Sequence, residues 1–209
     1  MSDLAHPLWI EPWPLVLASG SASRAEMLRN AGIPIEVSPA DLDERTIEAP
    51  LIEAKASPGD VALALAMAKA EAISLRFPNR LVLGADQVLA AGHEYFVKPS
   101  GLAAARTQLL RLRDREHGLF SAGALAVNGR TEETVVSEAR LTMRPFSEEF
   151  LDRYLAVAGN KVTTTVGGYM LEQEGIHLFD SIKGDFHVIL GLPLLPLLAV
   201  LRRRGLLLE

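Results

Sequence analysis

Residues 14–32, PLVLASGSASRAEMLRNAG, constrain the fold more than any other segment of this chain. Leu15, Val16 and Leu17 form a short apolar run of the kind a buried strand carries. The run stops at Ser19-Gly20-Ser21-Ala22-Ser23. Ser23 and Glu26 stand three apart as a capping box and predict a helix start, with Gly32 as its stop. A strand, a small-residue loop and a helix N-terminus in this order point backbone N–H groups at one spot, which suits phosphate or another anion. Arg24 falls in the first helical turn, where the helix dipole disfavours a cation. A bound anion would account for it. An ordinary βα turn with an exposed Arg is the plainer alternative, and the segment alone leaves both open.

The rest of the chain continues the alternation. Residues 33–37 predict a second strand, followed by the irregular acidic stretch Asp41-Leu42-Asp43-Glu44-Arg45 and a connection over 48–59. Ser57-Pro58-Gly59-Asp60 opens a helix through about Phe77, with Val61, Leu65, Ala68, Ala72 and Leu75 as its apolar stripe. Arg80 to Ala85 predict a buried strand that ends at Asp86-Gln87; Glu94 to Val97 predict another, leading to Lys98-Pro99. Ser100 caps a helix. Alternating segments at 117–128 and 133–143 meet at an Asn128-Gly129 turn. Ser147 starts a helix that closes at Gly159, residues 162–171 and 176–182 read as extended, and Pro193 starts a last helix ending in Arg202-Arg203-Arg204-Gly205. The first 13 residues, with Trp9 and Trp13, read as an arm over the surface, and 14–209 as a single domain. The fold class is α/β, with a mixed β-sheet flanked by helices.

Composition removes several function classes. A net charge of −5, with both signs interspersed, lacks the basic face that nucleic acid requires. There is no cysteine, so disulfides, thiolate metal sites and a cysteine nucleophile are excluded. The start MSDLAHPLWIEPWP has no secretory pattern, and the apolar stretch near 188–201 is too short to span a bilayer. The expectation is a cytoplasmic protein without a membrane partner. No P-loop, dinucleotide fingerprint, HExxH or G-x-S-x-G elbow occurs.

Asp86 directly follows the apolar run 81–85, at the strand edge where open α/β sheets place their ligands. An acid there can hold Mg²⁺ or position a water for attack, or simply cap a turn. Lys98 is held extended by Pro99, and Lys69 is the one cation in the alanine-rich ALALAMAKAEA, its stem able to run along the core while its ammonium reaches out of a cleft. For either lysine a solvated surface role is the plain alternative. Asp41, Asp43 and Glu44 suit a metal ligand or a solvated loop.

Together these pieces resemble the Maf family of nucleoside triphosphate pyrophosphatases over roughly residues 14–204. The motifs are LASGSASRAEMLRNAG, Asp43-Glu44, the Ala66 to Ala70 helix with Lys69, Gly84-Ala85-Asp86-Gln87, Lys98-Pro99, His117 to Ser121, Val166-Gly167-Gly168-Tyr169, and the tail from Ile182 to Pro193. The chain departs from the family pattern at Ser23, where an Arg is usual, at Gln87 for Thr, at Glu172 for an amide, and at Thr163-Thr164-Thr165 for an Asp-Lys.

The resemblance implies a twisted mixed sheet in two lobes around a nucleotide cleft, and hydrolysis between the α- and β-phosphates to a monophosphate and pyrophosphate, sanitising non-standard nucleotides. It assigns catalysis to Asp86, Lys69 and Lys98, phosphate binding to Ser19, Ser21 and Arg24, and a Mg²⁺ or Mn²⁺ ion to Asp86 and Glu44. Glu172 and Gln87 become base-recognition residues, since a carboxylate matches the two neighbouring donors of guanine and repels the carbonyls of thymine and uracil. That points to a 7-methyl-GTP pyrophosphatase as a narrower reading. Many members are homodimers, so a homodimer is expected. A non-catalytic interaction protein that inhibits septum formation is the competing class, and the converging Asp86, Lys69, Lys98 and Arg24 favour the enzyme.

Overall fold

A computed structural model describes residues 6–208. β1 (Leu15–Leu17) is buried along its length and lies parallel to β2 (Ile35–Val37), with Leu15 opposite Ile35. It is also parallel to β3 (Val82–Ala91), with Val16 opposite Val82. β4 (Glu94–Phe96) folds back antiparallel on β3. β5 (Glu116–Val127) and β6 (Arg130–Met143) follow, and β7 (Phe179–Lys183) pairs antiparallel with β6. The sheet runs in the order β2-β1-β3-β5-β6-β7, with β4 attached to β3. The mixed α/β class is therefore observed. Asn128 (φ 51°) and Gly129 (φ 80°) join β5 to β6 in the doubly left-handed turn that Asn-Gly favours.

Two compact units share the chain. One takes in the chain up to Asp86, Ser121–Ser137 and the chain from Gly191; the other takes in Gln87–Phe120 and Glu138–Leu190. The first unit carries α1 (Ala22–Asn30), α2 (Glu44–Glu53), α3 (Pro58–Ser74) and α7 (Leu194–Arg203). In it Trp9 is buried and bridges to Leu207, so the described part of the N-terminal arm is pinned to the C-terminal residues. The second unit carries α4 (Leu102–Leu112), α5 (Glu148–Ala158) and the single-turn α6 (Phe186–Ile189) around a core that includes Leu109, Leu119, Leu141, Leu151 and Tyr169. Ser147 caps α5 as expected, and Ser57 with Asp60 forms a capping box at α3. Among the described residues no helix is long and apolar enough to cross a membrane.

Several expectations change. The cap of α1 is Ser21, whose hydroxyl accepts from the Arg24 backbone N–H, so the helix starts at Ala22 and Ser23 lies inside it. The first half of the connection expected over 48–59 is the end of α2, which Asp43 starts as its N-cap, and α3 begins at Pro58. Gly101, not Ser100, occupies the cap of α4. The buried face of α3 is Val61, Ala62, Leu65, Ala66, Lys69, Ala70, Ile73 and Ser74; it keeps Val61 and Leu65 of the expected stripe but not Ala68 or Ala72, and Leu75 is exposed. The reason is packing: a Cβ built on Gly84 of β3 would collide with the Ala66 carbonyl and lie 2.6 Å from the Ala70 nitrogen. Small residues on α3 and a bare glycine on β3 let the two backbones touch. β3 also runs past Asp86 to Ala91, because Val88 to Ala91 are buried and Leu89 to Ala91 pair with β4.

Candidate active site

Side chains alternate along a strand, so Asp86 shares the face of Gly84 that lies on α3. Lys69 is three residues beyond Ala66 on that helix, and its Nζ donates to Asp86 Oδ1 in a buried contact. The same ammonium lies 2.7 Å from Glu44 Oε1 in the first turn of α2. Lys69 is buried, with 10% of its side chain exposed, and Asp86 is nearly as enclosed at 12%. The lysine does not reach out of a cleft to solvent. It sits between two carboxylates, where its charge offsets the cost of burying Asp86.

Sequence reasoning missed Glu48. It lies one helical turn after Glu44 on α2, half-buried, and its carboxyl is pushed up by burial first, then by the charges of Glu44 and Asp86. The i, i+4 spacing of the two acids was the available signal, hidden once 48–59 was read as a connection.

Arg24 acts as a clamp. Its Nε donates to the Gly191 carbonyl at 2.8 Å, and Nη1 donates to the Ala85 carbonyl at 2.8 Å and to Ser19 Oγ at 3.0 Å. Burial pulls its pKa down, against the opposing pull of Asp86 and Glu44. These bonds explain a cation in the first turn of α1 without any ligand. Ser19 is buried and also accepts from the Ser21 backbone N–H. The loop, Arg24 and the residue before Asp86 are thus tied together in one unit.

The structure therefore brings together Ser19, Ser21, Arg24, Glu44, Lys69 and Asp86. Gln87, Lys98 and Glu172 belong to the second unit. Gln87 Nε2 donates to the carbonyls of Val188 and Ile189 at 2.9 and 3.0 Å, so both its amide hydrogens are spent on the backbone. Lys98 is exposed beside buried Pro99. Glu172 is exposed on a turn closed by the Gln173 N–H to the Met170 carbonyl at 3.2 Å. Among the described residues no group of three or more His, Asp or Glu side chains is arranged to hold a metal ion.

A buried lysine shared by two carboxylates, beside a serine loop at a helix start, places a cation where a polyanion could dock and a carboxylate that can accept a proton from water. Comparison with known proteins agrees with that chemistry. The chain is 53% identical over 201 residues to a nucleoside triphosphate pyrophosphatase of Rhodopseudomonas palustris, covering 96% of this chain and 98% of that one. It is 50% identical over 191 residues to a 7-methyl-GTP pyrophosphatase of Mesorhizobium japonicum, covering 91% and 96%. A solved HAM1 protein from Coxiella burnetii is similar over 64% of this chain and 74% of that one, at 18% identity and a TM-score of 0.44. The family model described as Maf-like protein matches residues 14–204, and the chain belongs to that family.

Proposed function

We propose that this protein hydrolyses nucleoside triphosphates between the α- and β-phosphates, releasing a monophosphate and pyrophosphate. The observation that carries the reading is Lys69, buried between Asp86 and Glu44 beside the Ser19–Arg24 loop. In the reaction a water adds to phosphorus, one P–O bond of the α–β bridge breaks, and the water's proton passes to the Asp86 carboxylate. Lys69 holds that carboxylate in place and offsets charge on the phosphates, while the Ser19–Ser21 loop at the start of α1 and the Arg24 guanidinium take phosphate oxygens. Exposed Lys98 is a further phosphate partner in this reading.

Asp86 and Glu44 are the carboxylates that would hold Mg²⁺ or Mn²⁺, with substrate phosphates and water completing its shell; both face the Lys69 ammonium here. Such an ion, when bound, neutralises charge on the transferring group. Exposed Glu172 supports a preference for guanine-type bases, including the 7-methylated form, whose N1–H and N2–H₂ both face an acceptor. Removal of modified nucleotides in the cytoplasm, by a homodimer, is the setting this reading implies.

The test is pyrophosphate release from GTP, 7-methyl-GTP, dTTP, UTP and CTP with Mg²⁺ or Mn²⁺. Turnover of at least one triphosphate, abolished in Asp86→Asn, is expected. Release of orthophosphate in place of pyrophosphate, or no turnover of any nucleotide, would refute the reading.

A further inference from the structure

Tyr169 and His117 form a polar pair inside the apolar core of the second unit. Their exposures are 4% and 2%, and His117 Nε2 lies 2.8 Å from the phenol oxygen. Phe179 stands edge-on to the Tyr169 ring at 4.8 Å. His117 Nδ1 is buried with no partner among the described residues. Whichever nitrogen carries the proton, one polar hydrogen goes unpaired: Nδ1–H if the phenol donates, the phenol O–H if Nε2 donates. Burial holds the imidazole down to about 4 and pushes the phenol up, so both groups stay neutral.

Magnitudes show that this pair is not there for stability. The net gain from one hydrogen bond of this kind is no larger than the cost of leaving a buried donor unpaired. Two apolar side chains of similar shape would fill the space without the polar cost.

What the bond fixes is direction. Tyr169 stands at the root of the turn that carries Glu172. Before it, Gly167 and Gly168 take φ of 83° and 75°, and a Cβ on Gly167 would fall 2.7 Å from the Tyr169 ring. The Tyr169 carbonyl accepts from Thr165 Oγ1 at 2.8 Å. After it, Leu171 is buried and the Met170–Gln173 bond leaves Glu172 at the exposed tip. A chain path this closely packed follows the Tyr169 ring, and His117 sets where that ring points.

We propose that the His117–Tyr169 bond positions the Glu172 turn, so that the pair governs which base the enzyme prefers and not how fast it cleaves. The inference rests on Glu172 reading the base. Tyr169→Phe removes one oxygen and keeps the ring, and His117→Phe removes the other partner.

The measurement is kcat and KM for 7-methyl-GTP, GTP and dTTP in the native protein, Tyr169→Phe, His117→Phe, the double variant and Glu172→Gln. Loss of the bond should lower the guanine-over-thymine ratio of kcat/KM roughly 5- to 10-fold, through KM of the guanine nucleotides, with kcat on dTTP held within about twofold. The double variant should be no worse than either single one. Should His117→Phe fail to fold, Tyr169→Phe decides alone. A ratio that moves in Glu172→Gln but not in Tyr169→Phe overturns this inference and leaves the base-reading role intact. A ratio unmoved in Glu172→Gln removes that role and the inference with it. An equal fall in kcat for every nucleotide would make the pair merely structural, which also overturns it.

Discussion

Replacing Lys69 by Met keeps an unbranched stem and removes the charge that Asp86 and Glu44 share. Asp86 has 12% of its side chain exposed, so the variant leaves a nearly buried carboxylate unpaired; Glu44, 49% exposed, is solvated either way. Breaking a buried pair from one side costs about 3–5 kcal/mol, and the partial exposure here places the expectation near 3 kcal/mol. For a chain of this size that lowers Tm by about 6–12 °C. Asp86→Asn should cost only about 1 kcal/mol, because the amide oxygen still accepts and Lys69 keeps Glu44 at 2.7 Å. The double variant, with neither the Lys69 nor the Asp86 charge, should be more stable than the sum of the single losses by about 2 kcal/mol. Both single variants should lose on the order of 10²-fold or more in pyrophosphate release, since each disables the proton acceptor or its holder. Urea unfolding followed by tryptophan fluorescence gives the stabilities. Additivity within about 0.5 kcal/mol would show that the buried pair does not form in solution.

Gly84→Ala forces a methyl into the Ala66 carbonyl, so it should destabilise the protein by about 3 kcal/mol and cut turnover by displacing Asp86; a Tm within about 2 °C of native would show that β3 and α3 are not in backbone contact. Arg24→Ala removes three hydrogen bonds and a phosphate partner, and should raise KM and lower kcat together; unchanged kinetics would place the phosphates elsewhere. Burial, with the Arg115 charge second, holds His117 down to about 4 from an ordinary 6.5. The unfolded chain thus takes up a proton that the folded one refuses, so this group costs no stability above pH 6.5 and up to about 3 kcal/mol as pH falls to about 4. Urea unfolding from pH 7 to 4 should show this slope in the native protein and a shallower one in His117→Phe; equal slopes would refute it.

The parts of the fold legible in the sequence are those made by bonds between near neighbours. Ser57, Ser147 and the Asn128-Gly129 turn act within a few residues, and each behaves as its chemistry requires. Errors arise where a competing local bond or a distant partner decides. Residues 162–171 read as extended, yet Thr163 and Thr164 turn their hydroxyls back to the Asn160 and Lys161 carbonyls at 2.8 Å, and Gly159–Thr163 is a 3₁₀ turn. β3 outruns Asp86 only because β4 is there to pair with it. The site divides in the same way. Asp86, Lys69, Glu44, Ser19 and Arg24 were each visible as residue types in a pattern, and the structure assembles all five. Nothing local shows that Lys69 is inside, because its burial depends on Gly84, fifteen positions away, having no side chain. That glycine lets a lysine and two acids face one another at close range. With a Cβ at position 84 the α3 and β3 backbones would have to move apart, and the Lys69–Asp86 contact with them.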